Sequence, residues 1–481
     1  YEIGVRLVGS EMCIRDRSNT LSDLVCERAR RGIPDTIETL CSYLTVPAIS
    51  CEPIHHGDVR RLAEWVRDDL EAMGMDRARV IEIEDSLPIV AAEWLRAGPE
   101  CITILIYGHL DLQPVEGEPW RTPPHEAVRQ GDRLYARGAA DDMGGWLSHI
   151  AAIQAWFDEH SKLPCNLKLI IEGEEEIGSP NLEKYMDAYP DVFDADVMIL
   201  TDCDNPSVDL PGLTVSLRGL LEVELTVQAL EADVHSGIWG GMTPDVSIML
   251  IKLIDCLTDE DGRLSVGRVS VDKSTKEDAW NIPINDEVIR KGAHLIDGVS
   301  PLPHRDVPPA EWLWYQPAIT VVATTLPRPE QKKNALRAEA SATLSIRLAP
   351  GQTIEKMMDD LNSALRNGPP QGVKVTLTAA PWSTEGWLYH PTGPAFDAAD
   401  RAYSKSWGNP PVRIGIGGSI PFVTLFGRRY SHLPLILNGV MDPETTAHGP
   451  NESMHLGVFE KAVTANVYLY DELATLKKTD L

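Results

Sequence analysis

The feature that most constrains the fold is an apolar run at residues 101–106 (CITILI), which leads directly into the segment YGHLD. A run of this length without a polar interruption is typical of a strand that is buried on both faces. Such strands occur in α/β sheets, where ligands bind beyond the carboxyl ends of the strands. We therefore expect His109 and Asp111, which follow this run, to lie at a ligand-binding edge.

Two further apolar runs extend this prediction. Residues 167–171 and 197–200 are short and apolar, and residues 144–157 and 182–189 between them have helical periodicity. Strands that alternate with helices predict a mostly parallel, doubly wound sheet with helices on its faces. The predicted fold class is therefore α/β.

The pattern changes near Arg218, where residues 221–227 (LEVELTV) alternate apolar with polar side chains. Such alternation predicts a strand with one solvated face. The segments that follow have the β-α-β-β-α-β order of a ferredoxin-like domain, interrupted by a long loop at 297–309. The first pattern returns near residue 391 and includes a Gly-rich turn at 415–419. We predict a catalytic domain in two parts, at residues 18–217 and 391–481. Between them, residues 218–390 would form an inserted α+β domain that serves as a lid and in dimerisation.

Composition limits the partners and the compartment. The formal net charge is −28 with no basic run, so nucleic acid and anionic membrane surfaces are poor partners. No apolar stretch approaches the ~20 residues that a membrane-spanning helix needs. Eight scattered cysteines without a CxxC pair suit a reducing cytosol, so we predict a cytoplasmic protein. Residues 1–17 resemble a translated sequencing-adapter fragment, and we exclude them as a non-native artefact.

Histidines and acidic residues recur where the predicted strands end. So many carboxylates at one sheet edge would repel one another strongly without cations. Two histidines with several carboxylates and no cysteine suit zinc, with cobalt or manganese as substitutes. A carboxylate shared by two ions about 3.5–4 Å apart would give a pair that activates water and polarises a carbonyl. The candidate groups are His109, Asp111, Asp141, Asp142, Glu174, Glu175, Glu176, Asp202, Asp204 and His448.

Six motifs occur in order along the chain: GHLD at 108–111, RGAADDMGG at 137–145, EGEEEIGS at 172–179, LTDCD at 200–204, VHSG at 234–237 and AHGPNE at 447–452. Together they resemble the dinuclear zinc hydrolases that include aminoacylase, carboxypeptidase G, succinyl-diaminopimelate desuccinylase and carnosine dipeptidase, and within this family they are most similar to the dipeptidase branch. The resemblance implies a metallopeptidase that cleaves dipeptides or small peptides, with N-acyl-amino-acid deacylation on the same site as the alternative.

The resemblance also implies roles for individual residues. Glu175 would be the general base, although the acidic Glu174 before it leaves a one-residue shift open. Asp111 would lie behind His109 and orient its ring. The implied metal ligands are His109 and Asp202 for one ion, Glu176 and His448 for the other, and Asp141 as the bridge between them.

The inserted domain supplies most of the remaining candidates. The resemblance implies a homodimer in which His235 reaches the site of the other subunit and stabilises the oxyanion. Arg347 suits a substrate carboxylate, because the planar guanidinium can bind both oxygens. A non-catalytic homologue is a further alternative, but it predicts loss of a ligand or of the base, and none is lost here. The implied substrate-binding residues are Asn334, Arg347, Gly418 and Ser419.

Overall fold

The computed structural model describes residues 20–366, 372–418, 420–430 and 433–481. Segment 1–17 and Ser419 therefore lie outside the described residues. The α-helices in the described ranges are α1 (Leu21–Tyr43), α2 (His56–Met73), α3 (Met143–His160), α4 (Leu182–Ala188), α5 (Pro190–Phe193), α6 (Ser236–Trp239), α7 (Val246–Cys256), α8 (Lys273–Asn281), α9 (Asp286–Gly292), α10 (Pro309–Trp314), α11 (Ile354–Arg366), α12 (Pro394–Trp407), α13 (Pro421–Arg429) and α14 (Leu456–Ala474).

The strands are short, and several carry the motifs at their carboxyl ends. They are β1 (Asp76–Ile81), β2 (Ile89–Trp94), β3 (Thr103–His109), β4 (Val128–Gln130), β5 (Arg133–Tyr135), β6 (Asn166–Glu172), β7 (Val197–Leu200), β8 (Gly212–Leu217), β9 (Gly219–Gln228), β10 (Val234–His235), β11 (Ala318–Thr324), β12 (Ala335–Leu336), β13 (Glu339–Leu348), β14 (Lys374–Ala379), β15 (Trp387–Leu388), β16 (Val412–Ile416), β17 (Leu435–Leu437) and β18 (Ser453–His455).

The largest sheet has six strands in the order β1-β2-β6-β3-β7-β17. The four strands from β6 to β17 are parallel neighbours, and β1 and β2 add an antiparallel edge. Strand β3 shows that both faces of this sheet are covered by helices. Its Ile104 and Ile106 pack into a core with α1, α3 and α14, whereas Leu105 and Tyr107 pack into a second core with α4 and α13. The predicted α/β fold is confirmed.

A second sheet is antiparallel and has the order β11-β13-β9-β14. One of its faces packs Val223 and Leu225 against Leu250 of α7 and Leu361 of α11. Along the chain these elements run β9, α7, β11, β13, α11 and β14. Helices α8 to α10 lie between α7 and β11, and Ile282 and Ala310 from this insertion pack against Ile414 of β16.

The predicted turn at 415–419 differs from the structure, because Gly415 and Ile416 belong to β16, which pairs with β8. A Cβ atom on Gly415 would lie 2.6 Å from both Ser216 Oγ and Trp314 Cβ. This glycine therefore marks a close approach between packed segments, which is one common reason for a glycine within a strand. Among the helices of the described ranges, none has the length and apolar character to cross a membrane.

Candidate metal centre

Parallel strands bring the acidic motifs to one edge of the large sheet. Strand β3 ends at His109, β6 ends just before the Glu174–Glu176 triplet, and β7 ends just before Asp202. The carboxyl ends of parallel strands share one edge, which is where α/β sheets bind ligands. The loop before α3 adds Asp141, and the loop before β18 adds His448.

The Asp141 carboxylate lies between the two histidines. His109 Nε2 is 3.1 Å from Asp141 Oδ1, and His448 Nε2 is 3.1 Å from Asp141 Oδ2. His109 Nε2 is also 4.0 Å from Asp202 Oδ2, and His448 Nε2 is 3.2 Å from Glu176 Oε2. Each oxygen of Asp141 therefore faces a different histidine, which is the arrangement that a carboxylate bridging two ions requires.

Two groups of side chains in the described residues are compact enough to hold a metal ion. The ligand atoms of His109, Asp141 and Glu176 lie within 4.8 Å of one another, and so do those of His109, Glu175 and Asp202. Imidazole nitrogen with carboxylate oxygen is a donor set that zinc and similar divalent ions accept. Glu175 reaches the same space as the ligands, as a base that acts on water beside the ions must.

Burial, together with the neighbouring charged groups, shifts the pKa values in this centre. Burial, and then the charge of Asp141, raise the pKa of Asp202 to about 8. Burial also raises the pKa of Glu175 well above its usual value, and the charge of Asp202 adds to that shift. Hydrogen bonds to Asp141 and Glu176 raise the pKa of His448 to about 11. A cation placed among these carboxylates would stabilise their ionised forms and release the histidine proton.

Asp111 supports two parts of the centre. It is fully buried, and its Oδ1 lies 3.5 Å from His109 Nδ1, which is also 3.1 Å from the Asp111 carbonyl oxygen. Its carboxylate oxygens accept hydrogen bonds from the amides of Glu175 and Glu176 at 3.2 and 2.9 Å. Asp111 therefore positions the turn that carries both glutamates as well as the histidine ring.

Glu452 lies in the AHGPNE motif but is not among the site residues that the family resemblance implies. Its fully buried carboxylate accepts hydrogen bonds from Arg137 Nη1 at 2.9 Å and from the Gly138 amide at 3.0 Å. The amides of Ala140 and Asp141 donate to its other oxygen at 3.1 and 3.2 Å. Glu452 therefore shapes the loop that presents Asp141, and its sequence signal was its place in the AHGPNE motif.

Glu174 points away from the ligand cluster. Only 3% of the residue is exposed, and its Oε1 accepts a hydrogen bond from the Leu87 amide at 2.7 Å. Its two neighbours, Glu175 and Glu176, are the members of the triplet whose carboxylates join the two ligand groups. The geometry therefore favours the assignment without the one-residue shift.

The remaining candidates lie on other elements. His235 is exposed, and pairing of β10 with β12 places it beside Asn334, whose carbonyl accepts a hydrogen bond from the Ser236 amide at 3.2 Å. Arg347 is half-buried on β13, and Gly418 follows β16. Within the described part of the chain, no hydrogen bond or ion pair joins these residues to the metal-ligand candidates.

Comparisons with known proteins agree with the site. The profile of peptidase family M20/M25/M40 matches residues 105–472. The cysteinylglycine-S-conjugate dipeptidase of Corynebacterium striatum is 32% identical over 446 residues, which span 91% of this chain and 95% of that protein. The human Beta-Ala-His dipeptidase is 26% identical over 459 residues, spanning 87% of this chain and 86% of that protein.

Solved structures share the fold. Human carnosine dipeptidase 1 superposes with a TM-score of 0.77 at 23% identity, covering 95% of this chain and 100% of that one. The M20 metallo-carboxypeptidase Sso-CP2 of Sulfolobus solfataricus superposes with a TM-score of 0.75 at 26% identity, covering 92% of this chain and 99% of that one. The predicted resemblance is confirmed, and the chain belongs to peptidase family M20/M25/M40.

Proposed function

We propose that this protein is a dipeptidase that uses two divalent metal ions. In the natural enzyme these ions would be zinc, and cobalt or manganese could replace them. The observation that carries the proposal is the Asp141 carboxylate, whose two oxygens each lie 3.1 Å from a different histidine. The proposal is supported by relatives that are named as dipeptidases and that align along most of the chain. In it, His109 and Asp202 would hold one ion, Glu176 and His448 would hold the other, and Asp141 would be shared between them.

Glu175 is the proposed general base. The two ions would polarise the peptide carbonyl and lower the pKa of the attacking water. Glu175 takes a proton from that water and later gives it to the leaving amine, which is why it must reach the same space as the ligands. Asp111 holds the amide of Glu175 and so fixes the position of the base.

The inserted region at 218–390 is the proposed lid and dimerisation domain, between catalytic parts at 18–217 and 391–481. Large apolar side chains are exposed next to His235, including Trp239 at 54% and Met242 at 91% exposure. Strand β11 lies at the edge of the second sheet and exposes Val321 and Val322. Open strand edges and exposed apolar patches are surfaces that partners cover. The proposal assigns them to a second copy, which would bring His235 to the other subunit's site to stabilise the oxyanion.

Arg347 is the proposed contact for the substrate carboxylate. Burial lowers its pKa, and within the described residues it has no carboxylate partner. Arg347 lies opposite Leu220 in the β9–β13 ladder, and Arg218 directly precedes β9. The two guanidinium groups are close, because burial and then the charge of Arg347 lower the pKa of Arg218. Two adjacent guanidinium groups suit an anion. Asn334, Gly418 and Ser419 are proposed to complete the substrate site.

The proposal places the enzyme in the cytoplasm. The described cysteines are all free thiols, and Cys26, Cys165 and Cys203 are buried. Free cysteines of this kind suit a reducing compartment.

A substrate panel tests the reaction. The purified enzyme with zinc is assayed on unblocked dipeptides, including Cys-Gly and β-Ala-His, and on N-acetylated and N-carbamoylated amino acids. The proposal expects hydrolysis of unblocked dipeptides. Turnover of N-acylated amino acids alone would contradict it and would support the deacylase alternative.

A further inference from the structure

Glu174 is a buried carboxylate that neither binds a metal ion nor touches substrate in the proposed mechanism. Its Oε1 accepts hydrogen bonds from the Leu87 amide at 2.7 Å and from Asn181 Nδ2 at 3.1 Å. Its Oε2 is also 3.1 Å from Asn181 Nδ2. A carboxylate that is 3% exposed beside other acidic groups is costly, so these contacts need a reason.

The contacts of Glu174 tie three segments together. Asn181 Nδ2 also donates to the Asp85 carbonyl at 3.2 Å, and its Oδ1 accepts a hydrogen bond from Lys184 Nζ at 2.7 Å. Leu87 and Asp85 belong to the connection between β1 and β2, while Asn181 directly precedes α4. Glu174 therefore joins the end of β6 to an edge connection and to a helix.

The main chain of Glu174 closes the turn that follows it. Its carbonyl accepts hydrogen bonds from the Ile177 amide at 3.3 Å and from the Ser179 amide at 2.9 Å. Within this turn, the Glu175 and Glu176 amides donate to Asp111. The turn is thus held by the Asp111 carboxylate on one side and by the Glu174 side chain on the other.

We propose that Glu174 is a positioning residue, which sets the direction in which Glu175 and Glu176 point by anchoring their turn to Leu87 and Asn181. The effect on turnover rests on the proposed function, whereas the effect on metal binding does not. Without the side-chain anchor the turn keeps its main-chain hydrogen bonds and its contact to Asp111. It loses its link to Leu87 and Asn181, so the Glu176 ligand and the Glu175 base lose part of their fixed geometry.

The test compares Glu174→Ala with Glu174→Gln. The glutamine carbonyl can keep both hydrogen bonds of Oε1, to Leu87 and Asn181, while the negative charge and the second contact to Asn181 at Oε2 are removed. Removal of groups that orient metal ligands lowers metal affinity or activity about 10–100-fold. We expect a loss of this size for Glu174→Ala, both in kcat and in affinity for the zinc ion that Glu176 and His448 would hold. We expect KM to change less than about threefold and Glu174→Gln to stay within about threefold of wild type.

Zinc affinity is measured by chelator competition and kcat with a dipeptide, both well below each variant's unfolding temperature. Glu311→Ala is the matched control, because Glu311 is also a buried carboxylate with a carboxamide donor, Gln316 Nε2 at 3.0 Å. The control should lower the unfolding temperature without changing zinc affinity. Asn181→Ala combined with Glu174→Ala should bind zinc no more weakly than Glu174→Ala alone, because the contact between Glu174 and Asn181 is already lost in the single variant.

Three results would overturn the proposal. The first is wild-type zinc affinity in Glu174→Ala, and the second is an equal loss in Glu311→Ala. The third is an equal loss in the Gln and Ala variants, because charge rather than hydrogen-bond geometry would then be responsible. If the wild-type protein failed to hydrolyse any dipeptide, the proposed function would fail, and the zinc competition would still decide the role of Glu174.

Discussion

Replacing Glu452 by Gln should destabilise the protein strongly, although Glu452 is not a ligand in the proposed centre. The carboxylate accepts four hydrogen bonds, two at each oxygen, from Arg137 Nη1 and the amides of Gly138, Ala140 and Asp141. A glutamine side chain offers one oxygen and one NH₂ group. In either orientation, two of the four donors would face another donor.

The magnitude follows from those two lost acceptors. An unsatisfied buried donor costs about 1–3 kcal/mol, and breaking a buried ion pair costs about 3–5 kcal/mol. Arg137 is 1% exposed, and its other hydrogen-bond acceptors, Glu118 Oε2 and the Pro114 carbonyl, are each 3.4 Å from Nη2. We therefore expect Glu452→Gln to lower the free energy of unfolding by about 3–5 kcal/mol.

The assay is urea unfolding with saturating zinc at about pH 8, above the pKa of about 7 to which burial raises the Glu452 carboxyl. The control is Glu311→Gln, since the Glu311 side chain has one donor and should lose about 1 kcal/mol or less. A Glu452→Gln variant within about 1 kcal/mol of wild type would refute the reasoning, because the four contacts would then carry no net stability.

Two further predictions concern pH and subunit assembly. His149 is buried with Nδ1 2.7 Å from Tyr470 Oη, and burial lowers its pKa to about 3. As the pH falls, the unfolded chain takes up this proton near pH 6.5, whereas the folded chain does not take it up until about pH 3. The free energy of unfolding therefore has its full value above pH 6.5 and is about 2 kcal/mol lower at pH 5. His149→Gln should remove this part of the pH dependence in urea unfolding at pH 7.5 and 5, and an unchanged slope would contradict it. His235→Ala and Glu175→Gln should each be inactive, yet random co-assembly should restore about a quarter of wild-type activity, because half the dimers are mixed and have one intact site. No recovery would show that His235 does not act between subunits.

The ligand cluster was predictable because buried parallel strands leave a strong sequence signal. The run at 101–106 fixes the end of β3, and with it the position of His109 at the sheet edge. The acidic groups after β6 and β7 follow from the same pattern. Their assignment to individual ions depended on the family resemblance, because spacing alone does not choose between Asp202 and Asp204.

The supporting contacts were not predictable, because they join residues that are distant in the sequence. Glu452 holds the loop before Asp141 across more than three hundred positions, and Glu174 holds the amide of Leu87. A short acidic segment gives no sign of which carboxylate faces the cluster. Strands β1 and β2 were also not predicted. Strand β1 gives a weak sequence signal, because it alternates intermediate with exposed residues and lies at the sheet edge. The predicted turn at 415–419 began too early, since Gly415 and Ile416 belong to β16, and the reason is that close packing, like a turn, selects glycine.

The most direct test of the account is the Glu175→Gln variant, measured for zinc content and for turnover of a dipeptide in the same preparation. We expect two zinc ions per chain and a kcat about 10²–10⁴-fold lower than that of the wild type, because the ligands remain while the proton acceptor is lost. Glu311→Gln, prepared in parallel, should keep both zinc and turnover. Turnover close to wild type in Glu175→Gln would contradict the role of the base, and loss of a zinc ion would show that Glu175 is a ligand instead.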